Sequence, residues 1–178
     1  MRRLILLVVL VLFGTVAYSQ IQRGNRPGLR LDPSPGFITI NELNAGFGLS
    51  GKSTPYSGHF FGFTTINGYQ VNDIFLVGGG TGLLFYNDGL LIPLFIDMRA
   101  RLITDKIAPY LEGAGGVLLN PSELDKGTRM FINPSAGARL TLNRSLGVTA
   151  SAGLLMQMGS GIGRASFVTL KAGVVYKF

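Results

Sequence analysis

The dominant constraint in this chain is a period of two. From Phe37 onward, apolar and polar side chains alternate through eight segments: Phe37–Leu49, Phe60–Val71, Ile74–Tyr86, Leu91–Ile103, Ala108–Leu119, Met130–Leu142, Leu146–Met158 and Ala165–Phe178. No stretch beyond Pro35 carries the 3.6-residue repeat of a helix. Strand side chains point alternately to opposite faces, so each segment presents one apolar and one polar face. The segments run to about 11–14 residues. Ordinary globular strands average about 5–6, and a strand that crosses a bilayer needs about 9–11.

The connections alternate as well. Asn72-Asp73, Asp105-Lys106 and Asn143-Arg144-Ser145 read as tight hairpin turns, and between them lie the longer links Ser50–His59, Asn87–Gly89, Asn120–Arg129 and Gly159–Arg164. Short turns on one side and longer loops on the other describe an up-and-down barrel in an outer membrane. An even strand number puts both ends of the barrel on the short-turn, periplasmic side. The expected fold is therefore all-β, an eight-stranded antiparallel up-and-down transmembrane β-barrel spanning residues 36–178.

Parity separates the two faces. Ser166, Val168, Leu170, Ala172, Val174, Tyr176 and Phe178 share a face opposite Thr169, Lys171 and Lys177. Ile92, Leu94, Ile96, Met98, Ala100 and Leu102 oppose Asp97, Arg99 and Arg101, while Ala136, Ala138, Ala150, Ala152 and Leu154 oppose Ser135, Arg139, Thr149 and Ser151. A membrane barrel turns the apolar face to lipid, and a soluble lipocalin-type barrel reverses it. Only 14% of residues are charged against 47% apolar. That balance, the strand length and a chain finishing in Phe at the end of an apolar stripe favour the membrane arrangement.

The ending Leu170-Lys171-Ala172-Gly173-Val174-Val175-Tyr176-Lys177-Phe178 resembles the C-terminal assembly signal of outer-membrane proteins, with Phe178 terminal and Tyr176 two before it. Residues 37–178 are similar to the small eight-stranded barrels of OmpA/OmpX type, in the style seen in Bacteroidota. Asn67-Gly68-Tyr69-Gln70-Val71-Asn72 and Gly78-Gly79-Gly80-Thr81-Gly82 look like the second and third strands of that group. The resemblance implies folding by the outer-membrane assembly machinery, contact with outer-membrane lipid and lipopolysaccharide, and residence in a Gram-negative outer membrane. It implies no single activity.

Met1-Arg2-Arg3, the apolar run Leu4–Phe13 and Ala17-Tyr18-Ser19 read as a cleaved secretory signal peptide over residues 1–19, too short and too closely followed by a cleavage site for a spanning helix. Residues 20–35, with Arg23, Arg26, Arg30 and three prolines, read as a flexible periplasmic tail able to touch an envelope protein or the cell wall. The net charge of +7 is dispersed rather than gathered on one face, so nucleic acid is not an expected partner. The chain has no cysteine and a single histidine, His59. This leaves no disulfide scaffold, no usual zinc site and no cysteine nucleophile, and neither cofactor nor metal is expected.

Some motifs invite chemistry. Gly46–Ser53 matches the phosphate-binding pattern G-x-x-x-x-G-K-S, and Leu94-Phe95-Ile96-Asp97 offers an apolar run ending in an acid. The mechanism needs a helix beginning at Lys52-Ser53, and Pro55 and Gly58 forbid one. His59, with Ser53 or Ser57 nearby and an acid such as Glu42, offers a base, a nucleophile and an orienting group; the resemblance to small eight-stranded barrels, some of which are lipid-modifying enzymes, implies a lipid-modifying hydrolase as the activity such a group would carry. Gly159-Ser160-Gly161-Ile162-Gly163 precedes a strand, not a helix, and reads as a loop. Met156 and Met158, either side of Gln157, suit lipid-facing positions.

The most physical constellation is the set of inward charges: Glu42, Asp97, Arg99, Arg101, Glu112, Arg139 and Lys171. With Asp105-Lys106 as a turn, Arg99 falls opposite Glu112 and Arg101 opposite Tyr110. Closing the first strand on the eighth brings Glu42 and Lys171 onto neighbouring strands. Buried charges need partners, so a salt-bridged network filling the lumen is expected. Inward glycines (Gly46, Gly113 or Gly116, Gly137, Gly153) leave room for water pockets. Tyr69, Tyr176 and Phe178 at the periplasmic end, and Phe60, Phe61, Tyr86 and Phe131 at the external end, fit interfacial girdles. In the third external loop Glu123, Asp125, Lys126 and Arg129 are candidates for recognition. The leading function is a non-catalytic barrel with a structural or partner-binding envelope role and a largely plugged lumen. The alternatives are a narrow pore for ions or small solutes and a lipid-modifying hydrolase.

Overall fold

The computed structural model describes residues 34–49, 56–103, 105–121, 128–159 and 162–178. The stretches read as signal peptide and tail, apart from Ser34 and Pro35, lie outside these, as do Lys52, Ser53, Glu123, Asp125 and Lys126.

The described chain is eight strands: β1 (Gly36–Gly48), β2 (His59–Gln70), β3 (Phe75–Tyr86), β4 (Gly89–Arg101), β5 (Ile107–Leu119), β6 (Arg129–Thr141), β7 (Leu146–Gly159) and β8 (Ile162–Lys177). Each pairs antiparallel with the next and β1 pairs with β8, giving a closed barrel with no free sheet edge. Closure matters physically because an unpaired edge would carry a row of bare N–H and C=O groups. Observed and expected strands agree to within three residues at each end, and the largest difference is at β8, which starts three residues before the expected Ala165.

Two short turns owe their geometry to asparagine. Asn72 Oδ1 accepts from the backbone N–H groups of Ile74 and Phe75, both at 2.8 Å. Asn143 Oδ1 does the same for Ser145 and Leu146, at 2.9 and 2.7 Å. An Asn side chain that mimics a backbone carbonyl closes a turn without a further residue. Prolines leave their own mark. The β3–β4 register skips the residues opposite Ile92 and Pro93, and the β6–β7 register skips those opposite Asn133 and Pro134, because proline brings no donor to the ladder.

The faces sort as the alternation requires. Ile96, Met98, Leu111, Ile132, Leu154, Leu170 and Tyr176 lie on the outside, while Ile38, Ile40, Ile66, Leu118, Phe167 and Val175 are buried inside. The outer face is apolar in most places and the inner face holds every buried charge.

Candidate functional site

The interior is the only part of the described barrel where ionised groups converge, and it is layered. At the short-turn end Ile38, Ile40, Ile66, Leu76 and Val175 pack together. A charged layer crosses the middle. The long-loop end is an apolar and aromatic layer built from Phe60, Leu84, Tyr86, Leu91, Leu118, Phe131, Leu155, Ala165 and Phe167.

Arg99 on β4 organises the charged layer. Its Nε lies 2.8 Å from Asp97 Oδ1 on the same strand, and its Nη2 lies 3.0 Å from Glu42 on β1 and 3.8 Å from Glu112 on β5. Lys171 on β8 reaches across the lumen to the other oxygen of Glu112. The ring of Tyr110 sits 5.5 Å from the Arg99 guanidinium carbon, a cation–π distance. Three carboxylates and two cations thus share one buried cluster. An unpaired charge at this depth would cost several kcal/mol, and the pairing offsets that cost.

The local sequence explains the convergence. Arg99 pairs with Glu112 and Arg101 with Tyr110 in the β4–β5 register, as the turn arithmetic requires. Glu42 sits opposite Gly173 on β8. A Cβ at Gly173 would come within 2.6 Å of Glu42 Cγ, so glycine there lets the carboxylate lie against the wall and meet Arg99. Glu42 and Lys171 do lie on adjacent strands, but they do not pair. Lys171 instead joins Glu112 across the lumen.

Arg101 and Arg139 also point inward, at the short-turn end, beside a cavity of about 10 Å³ that Gln70 and Tyr110 help to line. Neither forms an ion pair within 4.0 Å among the described residues. A second cavity, about 30 Å³, separates the charged layer from Phe60, Phe95 and Phe131. Such spaces hold about one or two waters. The inward glycines do not leave larger ones. Phe60 occupies the space a Cβ at Gly46 would need, and Tyr110 and Ser151 do so at Gly137. Of Gly113 and Gly116, it is Gly116 that faces inward, against Leu94 O, while Gly113 faces open space.

Three aromatics expected as interfacial anchors are interior. Phe60, Tyr86 and Phe131 are buried; Phe60 and Tyr86 lie tilted at 4.8 Å and meet Phe167 edge-on at 5.4 and 5.9 Å, while Phe131 meets Phe95 edge-on at 6.0 Å. The reason is parity. Phe60 shares its face with Thr64 and Ile66, so its height on the strand does not decide its side. Phe61, Tyr69, Tyr176 and Phe178 do face outward, and Tyr176 and Phe178 stack edge-on at 5.0 Å.

Arg129 also departs from expectation. It opens β6 rather than ending a loop and is buried at 4% exposure, its guanidinium 4.6 Å over the ring of Tyr56. Tyr56 adopts φ 60°, a left-handed conformation uncommon for a bulky residue. Asp88 holds it there by accepting its N–H at 2.6 Å, and Gln157 donates to its carbonyl at 3.0 Å. The tyrosine folds over the aromatic layer as a cap. No sequence signal pointed to it, because its position depends on four separate strands and loops.

The hydrolase grouping does not assemble among the described residues. Ser57 is buried at 1% exposure, His59 faces outward, and Glu42 is engaged by Arg99. His59 borders an open apolar hollow on the outer wall, lined by Phe47, Phe61, Phe63, Phe85 and Leu170, with neither serine nor acid among the described residues that line it. The phosphate-loop match also loses its second half, since Asp97 is taken up by Arg99. Among the described residues no cluster of three or more His, Asp or Glu is placed to hold a metal ion.

No protein-family model matches the chain, and no curated protein matches it by sequence. Solved structures do match by shape. Neisserial surface protein A superposes at TM-score 0.61 with 16% identity, over 82% of this chain and 99% of that one. OprG, an outer membrane protein from Pseudomonas aeruginosa, gives 0.51 with 10% identity, over 84% and 99%. A de novo designed transmembrane β-barrel gives 0.50 with 13% identity, over 83% and 100%. At these identities the likeness is one of fold: this chain is a closed eight-stranded barrel of the kind found in outer membranes.

Proposed function

We propose that this protein is a non-catalytic integral protein of a Gram-negative outer membrane, exported through a cleaved signal peptide, with a structural or partner-binding role and a lumen closed to solutes. The observation that carries the reading is the inversion of the barrel. Its outer face bears Phe37, Leu43, Phe61, Phe63, Ile96, Met98, Ile132 and Leu170 at 45–69% exposure, while Glu42, Asp97, Arg99, Glu112, Arg139 and Lys171 are buried within. In water that arrangement would expose apolar surface far beyond a soluble monomer's few hundred Å²; in lipid it is the ordinary solution. An eight-stranded barrel is just wide enough for side chains to fill it. Here an ion-paired layer and an aromatic layer lie in series across the interior.

The test has two readouts. Purified in detergent, the barrel should migrate differently on a gel with and without boiling, as a detergent-resistant closed barrel does. Reconstituted into a planar bilayer, it should show no steady conductance, and neither should Arg99→Met. Open-channel steps in the unmodified protein, altered by Arg99→Met, would favour the pore instead. Solubility without detergent and no mobility shift would reverse the faces and end the membrane reading.

A further inference from the structure

The outer wall is not apolar everywhere. On β1–β3, at mid-height, five polar side chains face outward: Thr39, Asn41, Thr65, Asn67 and Thr81. They occupy directly paired positions, Asn41 opposite Thr65 and Thr65 opposite Thr81, with Thr39 opposite Asn67 in the next row. Asn41, Thr65 and Thr81 each stand six or seven residues into strands of 12 or 13. This is the centre of the wall, too far from either end for headgroups or water.

Within this belt the side chains satisfy one another only in part. Thr65 Oγ1 donates to Asn41 Oδ1 at 2.9 Å, and Thr39 Oγ1 donates to Asn67 Oδ1 at 2.8 Å. The amide nitrogens of Asn41 and Asn67 and the hydroxyl of Thr81 are left without a partner among the described residues. Hydrocarbon offers none, and a polar group left bare in lipid is costly. The belt is also recessed. Bulky outward rows flank it, Leu43–Phe63–Leu83 on one side and Phe37–Tyr69–Val77 on the other. Gly79, between Asn67 and Thr81, has nothing within 4 Å of the place a Cβ would take. Small and polar residues are what allow close, hydrogen-bonded contact between membrane segments.

We propose that this belt is a lateral interface in the membrane plane between two copies of this chain, an inference that rests on the membrane reading above. The occupant follows from the chemistry of the patch. It contains no charge, so like meets like without repulsion. Each Asn carries both a donor and an acceptor, and each Thr hydroxyl can serve as either. A two-fold axis through the belt sets the same set against itself, so the free amide N–H groups of one copy meet the oxygens of the other.

The natural absence of cysteine makes the test direct. Thr65→Cys, at the centre of the belt and so beside the two-fold axis, reconstituted into phosphatidylcholine vesicles and oxidised, should give a species of twice the monomer mass. Ile132→Cys, outward on β6 across the barrel, should not. Adding Asn41→Leu and Asn67→Leu to Thr65→Cys should weaken the dimer about tenfold; both leucines are lipid-compatible, and a retained heat-dependent gel shift confirms that the barrel has folded. A monomeric Thr65→Cys, or equal cross-linking from Ile132→Cys, overturns the proposal. In native outer membranes, a cross-linked species of any other mass overturns the choice of a second copy. Failure of the gel shift in the unmodified protein would remove the membrane reading itself, a different result from a folded monomer.

Discussion

Removing the guanidinium of Arg99 would leave Glu42 and Asp97 with no cation within 4 Å among the described residues, and Glu112 with Lys171 alone among them. Breaking a buried pair from one side costs about 3–5 kcal/mol, because the partner charge stays behind. Arg99→Met should therefore destabilise the barrel by about that amount in denaturant titrations, and pairing it with Glu42→Gln should recover part of the loss. Glycines give a sharper contrast. Gly173→Ala places a methyl 2.6 Å from Glu42 Cγ and 2.7 Å from the carbonyl of Asn41, and should cost about 1–3 kcal/mol. Gly113→Ala meets nothing within 4 Å and should stay within about 0.5 kcal/mol of the unmodified protein. The pairing of Arg99 with Glu112 was legible in the sequence because one tight turn determines it. The pairing of Lys171 with Glu112 was not, because it crosses the lumen between strands that share no turn.

Single strands carry the alternation, but what fills the barrel depends on several strands together. The aromatic layer draws Phe60 from β2, Tyr86 from β3, Phe131 from β6 and Phe167 from β8. Truncating its fully buried member, Phe167→Ala, should cost about 3–5 kcal/mol, read from unfolding in detergent. The space it opens adjoins a layer with only a cavity of about 30 Å³ beside it. Sequence reading assigned Phe60, Tyr86 and Phe131 to the wall because they stand near strand ends, where membrane barrels carry girdles. Counting parity from the polar Thr64 or Asn133 would have turned Phe60 and Phe131 inward. The same count turns Arg129 inward, once β6 is seen to begin there; Tyr56 was beyond it, since a loop residue has no parity to inherit.

For the molecule as a whole, the decisive property is which face meets lipid. Ile96, outward at 61% exposure near the middle of β4, tests it. Ile96→Arg should destabilise the barrel in lipid vesicles by about 2–4 kcal/mol, the midplane cost of an arginine. The same change on a water-facing wall would be close to neutral.

Strand number, strand direction, most strand boundaries and the two faces of each strand follow from the period of two, because alternation is a local property that each segment expresses by itself. The side of the wall follows too for Glu42, Asp97, Arg99, Glu112, Arg139 and Lys171, though not for Arg129. What only the closed barrel decided is who meets whom: Lys171 with Glu112, Tyr56 over Arg129, Phe60 against the bare backbone of Gly46. Those contacts depend on strand stagger and on distances across the lumen, which the linear order of residues does not contain. The polar belt on β1–β3 lies between the two cases. Its residues alternate correctly, and only lateral register shows that they gather at one height.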